Sequence, residues 1–164
     1  MQKPWNYKSS IPATSTPTEA PCSGPFLKAL GASLSERRDK WLRASMRSLV
    51  IKTDDGRIVL VDNGAGNKHL KQLSYYRFFN LVDLGTELRN RGIQPEEITD
   101  VVLTHLHFDH CGYTTQKDES TGHLFLSFPN ANHWVSRKQW ENFLHPTLGE
   151  RFLFYREYAS RRGC

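Results

Sequence analysis

The hydrophobic residues of this 164-residue chain fall in short runs closed by turn formers, and the runs read as alternating strands and helices. Trp41 to Lys52 leads into a strand, Asp54-Asp55-Gly56 predicts a hairpin turn, and Arg57 to Asp62 predicts the returning strand. The loop from Asn63 to Asn67 follows, with glycines that allow tight backbone angles. Leu81, Leu84 and Leu88 recur at helical spacing, and Gly92 is a suitable stop. Pro95-Glu96-Glu97 predicts a single helical turn before an apolar strand over Thr99 to Leu103. Further strands are expected at His123 to Phe128 and Asn132 to Val135. Ser136 with Gln139 predicts a capped helix to about Leu144. Thr147 with Glu150 predicts another, carrying Phe152, Tyr155 and Ala159 on one face. No internal repeat is visible.

The candidate chemistry sits where the Thr99–Leu103 strand ends. His105, His107, Asp109 and His110, four metal-capable side chains, fall within six positions. Side chains alternate faces in an extended segment, so His105 and His107 point the same way and can share one ion. Asp109 and His110 come in the turn beyond, placed for a second. Imidazole with one carboxylate suits zinc or iron, and a shell without thiolate argues against a closed structural zinc knot. Such a shell leaves a coordination position for water, which the metal acidifies into a nucleophile.

At these residues the chain resembles the metallo-β-lactamase-fold hydrolases. His105-Leu106-His107-Phe108-Asp109-His110 matches the His-x-His-x-Asp-His motif, and Cys111-Gly112 fits the small residues after it. Arg57 to Asp62 followed by Asn63-Gly64-Ala65-Gly66 looks like the family's strand ending in an aspartate and glycine-rich turn. The resemblance runs from about residue 26 to 145 and is nearest to the branch holding lactonases and organophosphate hydrolases. It implies an α+β fold, the N-terminal half of an αββα sandwich with a mixed sheet and flanking helices. It also implies two zinc ions, His105 and His107 on the first, Asp109 and His110 on the second. Asp109 would orient the bridging hydroxide and shuttle a proton, as the catalytic residue. Asp62 would brace the ligand loop through hydrogen bonds without touching metal.

The chain also departs from that family, whose sites are completed by two more histidines and a bridging aspartate well downstream. Only 54 residues follow His110 (164 − 110), and His133 and His145 sit in settings that suit structural or surface roles. His69 and His123 receive no role. Two-sheet folds of this kind commonly need roughly 200–250 residues. The sequence therefore reads as residues 1–25, a disordered or loosely draped tail, and residues 26–164, a C-terminally truncated metallo-β-lactamase-like domain. A half-sandwich exposes the apolar face meant for its partner sheet, so self-association through that face is expected.

Composition changes the picture little. Pro4, Pro12, Pro17, Pro21 and Pro25 with many Ser and Thr argue for the loose tail. It lacks the apolar region of a secretory signal, and no stretch is long enough to span a membrane, so a cytoplasmic address is the expectation. Cys22, Cys111 and Cys164 are too few and too irregular for a disulfide framework, and Cys111 reads as a small residue packing under the loop. The net charge of +5 is scattered over Arg37, Arg38, Lys40, Arg43, Arg47, Arg161 and Arg162, which argues for a solvated surface over a nucleic-acid face. The leading expectation is a hydrolase whose metal-bound hydroxide attacks an ester, lactone or amide in a small-molecule substrate. The alternatives are an RNA nuclease of the same fold and an inactive or complementation-dependent fragment.

Overall fold

In the computed structural model of the chain, the described residues are 10–11, 17–21, 41–69, 71, 77–78 and 80–154. Nine strands lie among them: β1 (Ser10–Ile11), β2 (Pro17–Pro21), β3 (Trp41–Ser45), β4 (Ser48–Lys52), β5 (Ile58–Val61), β6 (Asp100–Leu103), β7 (Thr115–Lys117), β8 (Leu124–Leu126) and β9 (Asn132–Val135). The helices are α1 (Leu84–Asn90), α2 (Phe108–Cys111) and α3 (Arg137–Leu144), with short 3₁₀ turns at Pro95–Glu97, Gly112–Thr114 and Arg151–Leu153.

β1, β4, β5, β6 and β9 form a mixed five-stranded sheet in that order. β1/β4 and β4/β5 are antiparallel, while β5/β6 and β6/β9 are parallel. The β4–β5 hairpin turns where expected: the Gly56 N–H donates to the Thr53 carbonyl, and Gly56 takes a φ of +86° that a side chain would resist. Parallel strands need a crossover, and α1 supplies it between β5 and β6. The register Val50–Leu60–Val101–His133 places one row on one sheet face, and its three apolar members are buried. They join Leu88, Ile98, Cys111 and Phe128 in the core. The other face carries Leu49, Val61 and Val102, all half-buried, in line with Trp134, which stays exposed. The Trp134 indole N–H donates to the buried Asp100 carboxylate at 2.7 Å, tying the outermost strand to its neighbour.

Several elements differ from the sequence expectations. The Trp41–Lys52 strand is two strands, broken at Met46-Arg47. The helix expected around Leu81 starts at Leu84, because Asp83 caps it by accepting from the Thr86 N–H at 2.7 Å. β7 was not foreseen, since Thr115-Gln116-Lys117 shows no apolar alternation. The helix expected after Thr147 is a 3₁₀ turn within the described residues: the Thr147 hydroxyl donates to the Glu150 carboxylate instead of capping a backbone N–H. Tyr155 and Ala159 lie outside the described residues. Of the segment 1–25 read as a draped tail, the described parts are 10–11 and 17–21, and both pair as strands. Prolines at both ends of β2 suit a strand at a sheet edge. No helix among the described residues is long and apolar enough to cross a membrane.

One cap ties α1 to the loop after the metal motif. The Tyr113 hydroxyl donates to Asp83 at 2.8 Å and accepts from the Gly85 N–H at 3.1 Å. Burial pushes the Asp83 carboxyl up, but the Thr86 N–H and the Tyr113 hydroxyl outweigh it and hold it below the ordinary value. A carboxylate with a depressed native pKa stabilises the fold above its unfolded pKa and loses that contribution as pH falls through the native value. Asp83→Ala should therefore lower stability by about 1 kcal/mol at neutral pH. Urea unfolding should show this difference from the wild type shrinking in acid.

Candidate metal centre

The carboxyl ends of β5 and β6 lie side by side, the crevice position at which parallel sheets commonly bind ligands. Past Val61 the chain turns through Asp62, which adopts a φ of +53° while its N–H donates to the Val102 carbonyl at 2.9 Å. Past Leu103 the chain leaves the sheet at Thr104, and His107 precedes the first turn of α2. His105 and His107 therefore sit on the loop between β6 and α2, and Asp109 and His110 sit in the single turn of α2 itself.

Loop and helix together bring His105, His107 and Asp109 close, each offering a ligand atom within 4.8 Å of the others. His110 lies against them, its ring centroid 3.9 Å from that of His105 and its Nε2 3.4 Å from Asp109 Oδ2. The His105 and His107 rings meet edge-on at 4.5 Å. Two imidazoles and a carboxylate are a donor set that zinc and related divalent ions accept. The residues present thus fit one such ion, with His110 beside them.

Asp62 is the buried carboxylate beneath this group. Oδ1 accepts from the Thr104 backbone N–H at 2.8 Å, and the Thr104 hydroxyl lies 3.0 Å from Oδ1 and 2.8 Å from Oδ2. Oδ2 accepts from His110 Nδ1 at 2.8 Å. Burial pushes the Asp62 carboxyl up, and the His110 and Thr104 hydrogen bonds overcome it, leaving the group below its ordinary value. Asp109 behaves alike, with burial outweighed by its contact to His110. Burial acts to lower His110, but Asp109 and Asp62 prevail and raise it to about 9. His105 and His107 are lowered, chiefly by burial, so both stay neutral as metal ligation requires. Two ionised carboxylates around one imidazolium leave a net negative charge that attracts a cation.

Residues outside the motif complete the loop, and the sequence reading gave them no part. Asn63 donates through Nδ2 to the Thr114 hydroxyl at 2.9 Å and accepts the Tyr113 N–H at 3.0 Å. Lys68 Nζ donates to the Gly112 carbonyl at 2.7 Å and also to the Thr115 carbonyl. Phe154 packs on His107 at a centroid distance of 5.1 Å and on Phe143 of α3 at 5.6 Å. Thr104 could have been suspected from its place before the motif and Asn63 from its place in the glycine-rich turn; Lys68 and Phe154 carried no such signal. His133 sits half-buried in β9 with Nδ1 3.1 Å from the Ala131 carbonyl, and His145 caps α3 in an exposed position. Neither lies in the cluster. Cys111 is fully buried under the loop, where burial pushes its thiol far up, so it is a packing residue. Cys22 and Cys164 lie outside the described residues.

Residues 47–113 match the family described as the metallo-beta-lactamase superfamily. The match takes in Asp62, Thr104 and all four clustered side chains. Solved metallo-β-lactamase folds agree with it along most of the chain. A probable metal-dependent hydrolase from Staphylococcus aureus superposes with a TM-score of 0.68 at 23% identity, over 92% of this chain and 54% of that one. A quorum-quenching N-acyl homoserine lactone lactonase gives 0.63 at 20% identity, over 96% and 54%. A dizinc quorum-quenching lactonase with bound product gives 0.52 at 21% identity, over 85% and 48%. The chain thus spans about half the length of these structures, and its mixed sheet with flanking helices is a metallo-β-lactamase architecture. No curated protein matches the chain significantly.

Within this matched segment the two loops flanking the site touch backbone to backbone. A Cβ on Gly112 would lie 2.1 Å from the Ala65 carbonyl oxygen, and one on Gly66 would lie 2.8 Å from the Gly112 oxygen. Both obstacles are main chain and cannot rotate away. Gly112→Ala should cost about 3 kcal/mol, read as a fall in the denaturant midpoint.

Proposed function

We propose that the protein is a metal-dependent hydrolase acting on a small-molecule ester, lactone or amide. One observation carries the reading: His105, His107, Asp109 and His110 converge at the carboxyl end of a central strand, over a buried aspartate that braces them. In this reading His105 and His107 would hold one divalent ion, and Asp109 with His110 would hold a second, His110 giving up its Nε2 proton as the ion binds. Zinc is the metal favoured by the imidazole-rich donor set and by the dizinc lactonase that shares the fold. When bound, such ions lower the pKa of water and stabilise developing negative charge on oxygen. The lactone class is supported by the lactonases among the structures of this fold.

The remaining work falls to the chain's own side chains. Asp109, the one carboxylate of the cluster, would accept a proton from the attacking water and return it to the leaving atom, the oxygen of an ester or lactone or the nitrogen of an amide. Asp62 keeps His110 in place from below. Phe154 packs against the His107 ring on one side.

Zinc stoichiometry and chromogenic lactone hydrolysis, measured on the purified chain, test the proposal. Zinc should survive desalting, and His107→Ala should lose it together with hydrolysis. A wild-type chain that neither retains zinc nor hydrolyses the lactone would overturn the reading. Asp62→Ala keeps all four candidate ligands in the sequence but frees His110 from its support, and should weaken zinc binding by about 10- to 100-fold, measured by competition with a coloured chelator.

A further inference from the structure

We propose that the Thr104 hydroxyl sets the tautomer of His105 by accepting a hydrogen bond from Nδ1–H, which leaves Nε2 as the ring's donor to metal. The inference deepens the metal-site reading and rests on it for the role of Nε2. It follows from counting protons. The Thr104 hydroxyl lies 3.0 and 2.8 Å from the two Asp62 oxygens and 3.1 Å from His105 Nδ1. A hydroxyl has one proton to give, and a carboxylate has none. The Thr104–Asp62 contact therefore uses the hydroxyl proton. Toward His105 the same oxygen can only accept, so Nδ1 must carry the hydrogen and Nε2 must carry the lone pair.

The same elimination applies on the other side of Asp62. His110 Nδ1 lies 2.8 Å from Oδ2, which accepts, so Nδ1 donates there and Nε2 faces Asp109. One buried carboxylate thus orients two imidazoles, His110 directly and His105 through a threonine relay. His107 is held differently, by ring packing against His105 and Phe154. A relay of this kind narrows the ring orientations that must be ordered when an ion binds, as hydrogen-bonded partners behind ligating histidines generally do. Thr104 is in this sense a positioning residue.

Long-range ¹H–¹⁵N correlation spectra of the ¹⁵N-labelled, chelator-treated protein read the tautomer without any metal. His105 should carry its proton on Nδ1, against the preference of free imidazole side chains for Nε2–H. Thr104→Ser keeps the hydroxyl and should keep both the Nδ1–H tautomer and the zinc affinity. Thr104→Val keeps the shape and removes the relay, so His105 should shift toward Nε2–H and zinc affinity should fall about tenfold. An Nε2–H tautomer in the wild type would overturn the proposal, even if Thr104→Val failed to fold. So would equal tautomers and equal affinities in the Val and Ser variants. Loss of zinc binding by a wild-type chain that still shows the Nδ1–H tautomer would count against the hydrolase reading and leave the relay standing.

Discussion

A buried carboxylate is tolerated only when hydrogen bonds replace the water it has lost, and the region around the site follows from meeting that demand at Asp62. Its two oxygens accept from the Thr104 N–H, the Thr104 hydroxyl and His110 Nδ1. The first two donors stand at the exit of β6 and the third in α2, so satisfying one side chain fixes how the strand passes into the helix. The positive φ at Asp62 serves the same end, since it turns the chain while the residue's N–H still bonds to Val102. Among ordinary residues aspartate is one of the few that visits this backbone region readily.

The energetic logic runs from sheet to chemistry. Val50, Leu60 and Val101 bury one row of the sheet, and the parallel pairing of β5 with β6 brings Asp62 and Thr104 to the same edge. The hydrophobic effect thus chooses the register, and the register chooses which polar groups meet. Once they meet, electrostatics does the rest: two carboxylates hold His110 charged while burial keeps His105 and His107 neutral.

Much of this was legible in the sequence where the signal was local. The Asn132–Val135 strand, the Pro95–Glu97 turn and the Ser136-capped helix to Leu144 occur at the residues expected. The four clustered side chains were legible too, because six consecutive positions carry all of them. What could not be read depends on contacts between distant residues. That Asp62 braces the ligand loop was expected from the family resemblance, but its partner Thr104, 42 residues away, was not, nor was the pairing of Asn63 with Thr114, 51 residues away. The strands at Ser10–Ile11 and Pro17–Pro21 escaped for a different reason: they rest on backbone pairing, which a proline-rich composition conceals.

The contact between Gly112 and the Ala65 carbonyl has a consequence for redesign. With no side chain between them, the 63–66 and 111–113 loops are shaped against each other like two halves of a mould. Lys68 clamps the assembly by bonding to the Gly112 carbonyl. Neither loop can be lengthened, shortened or exchanged alone without forcing main chain into main chain. A graft meant to reshape the mouth of this site must carry both loops and the lysine as one cassette.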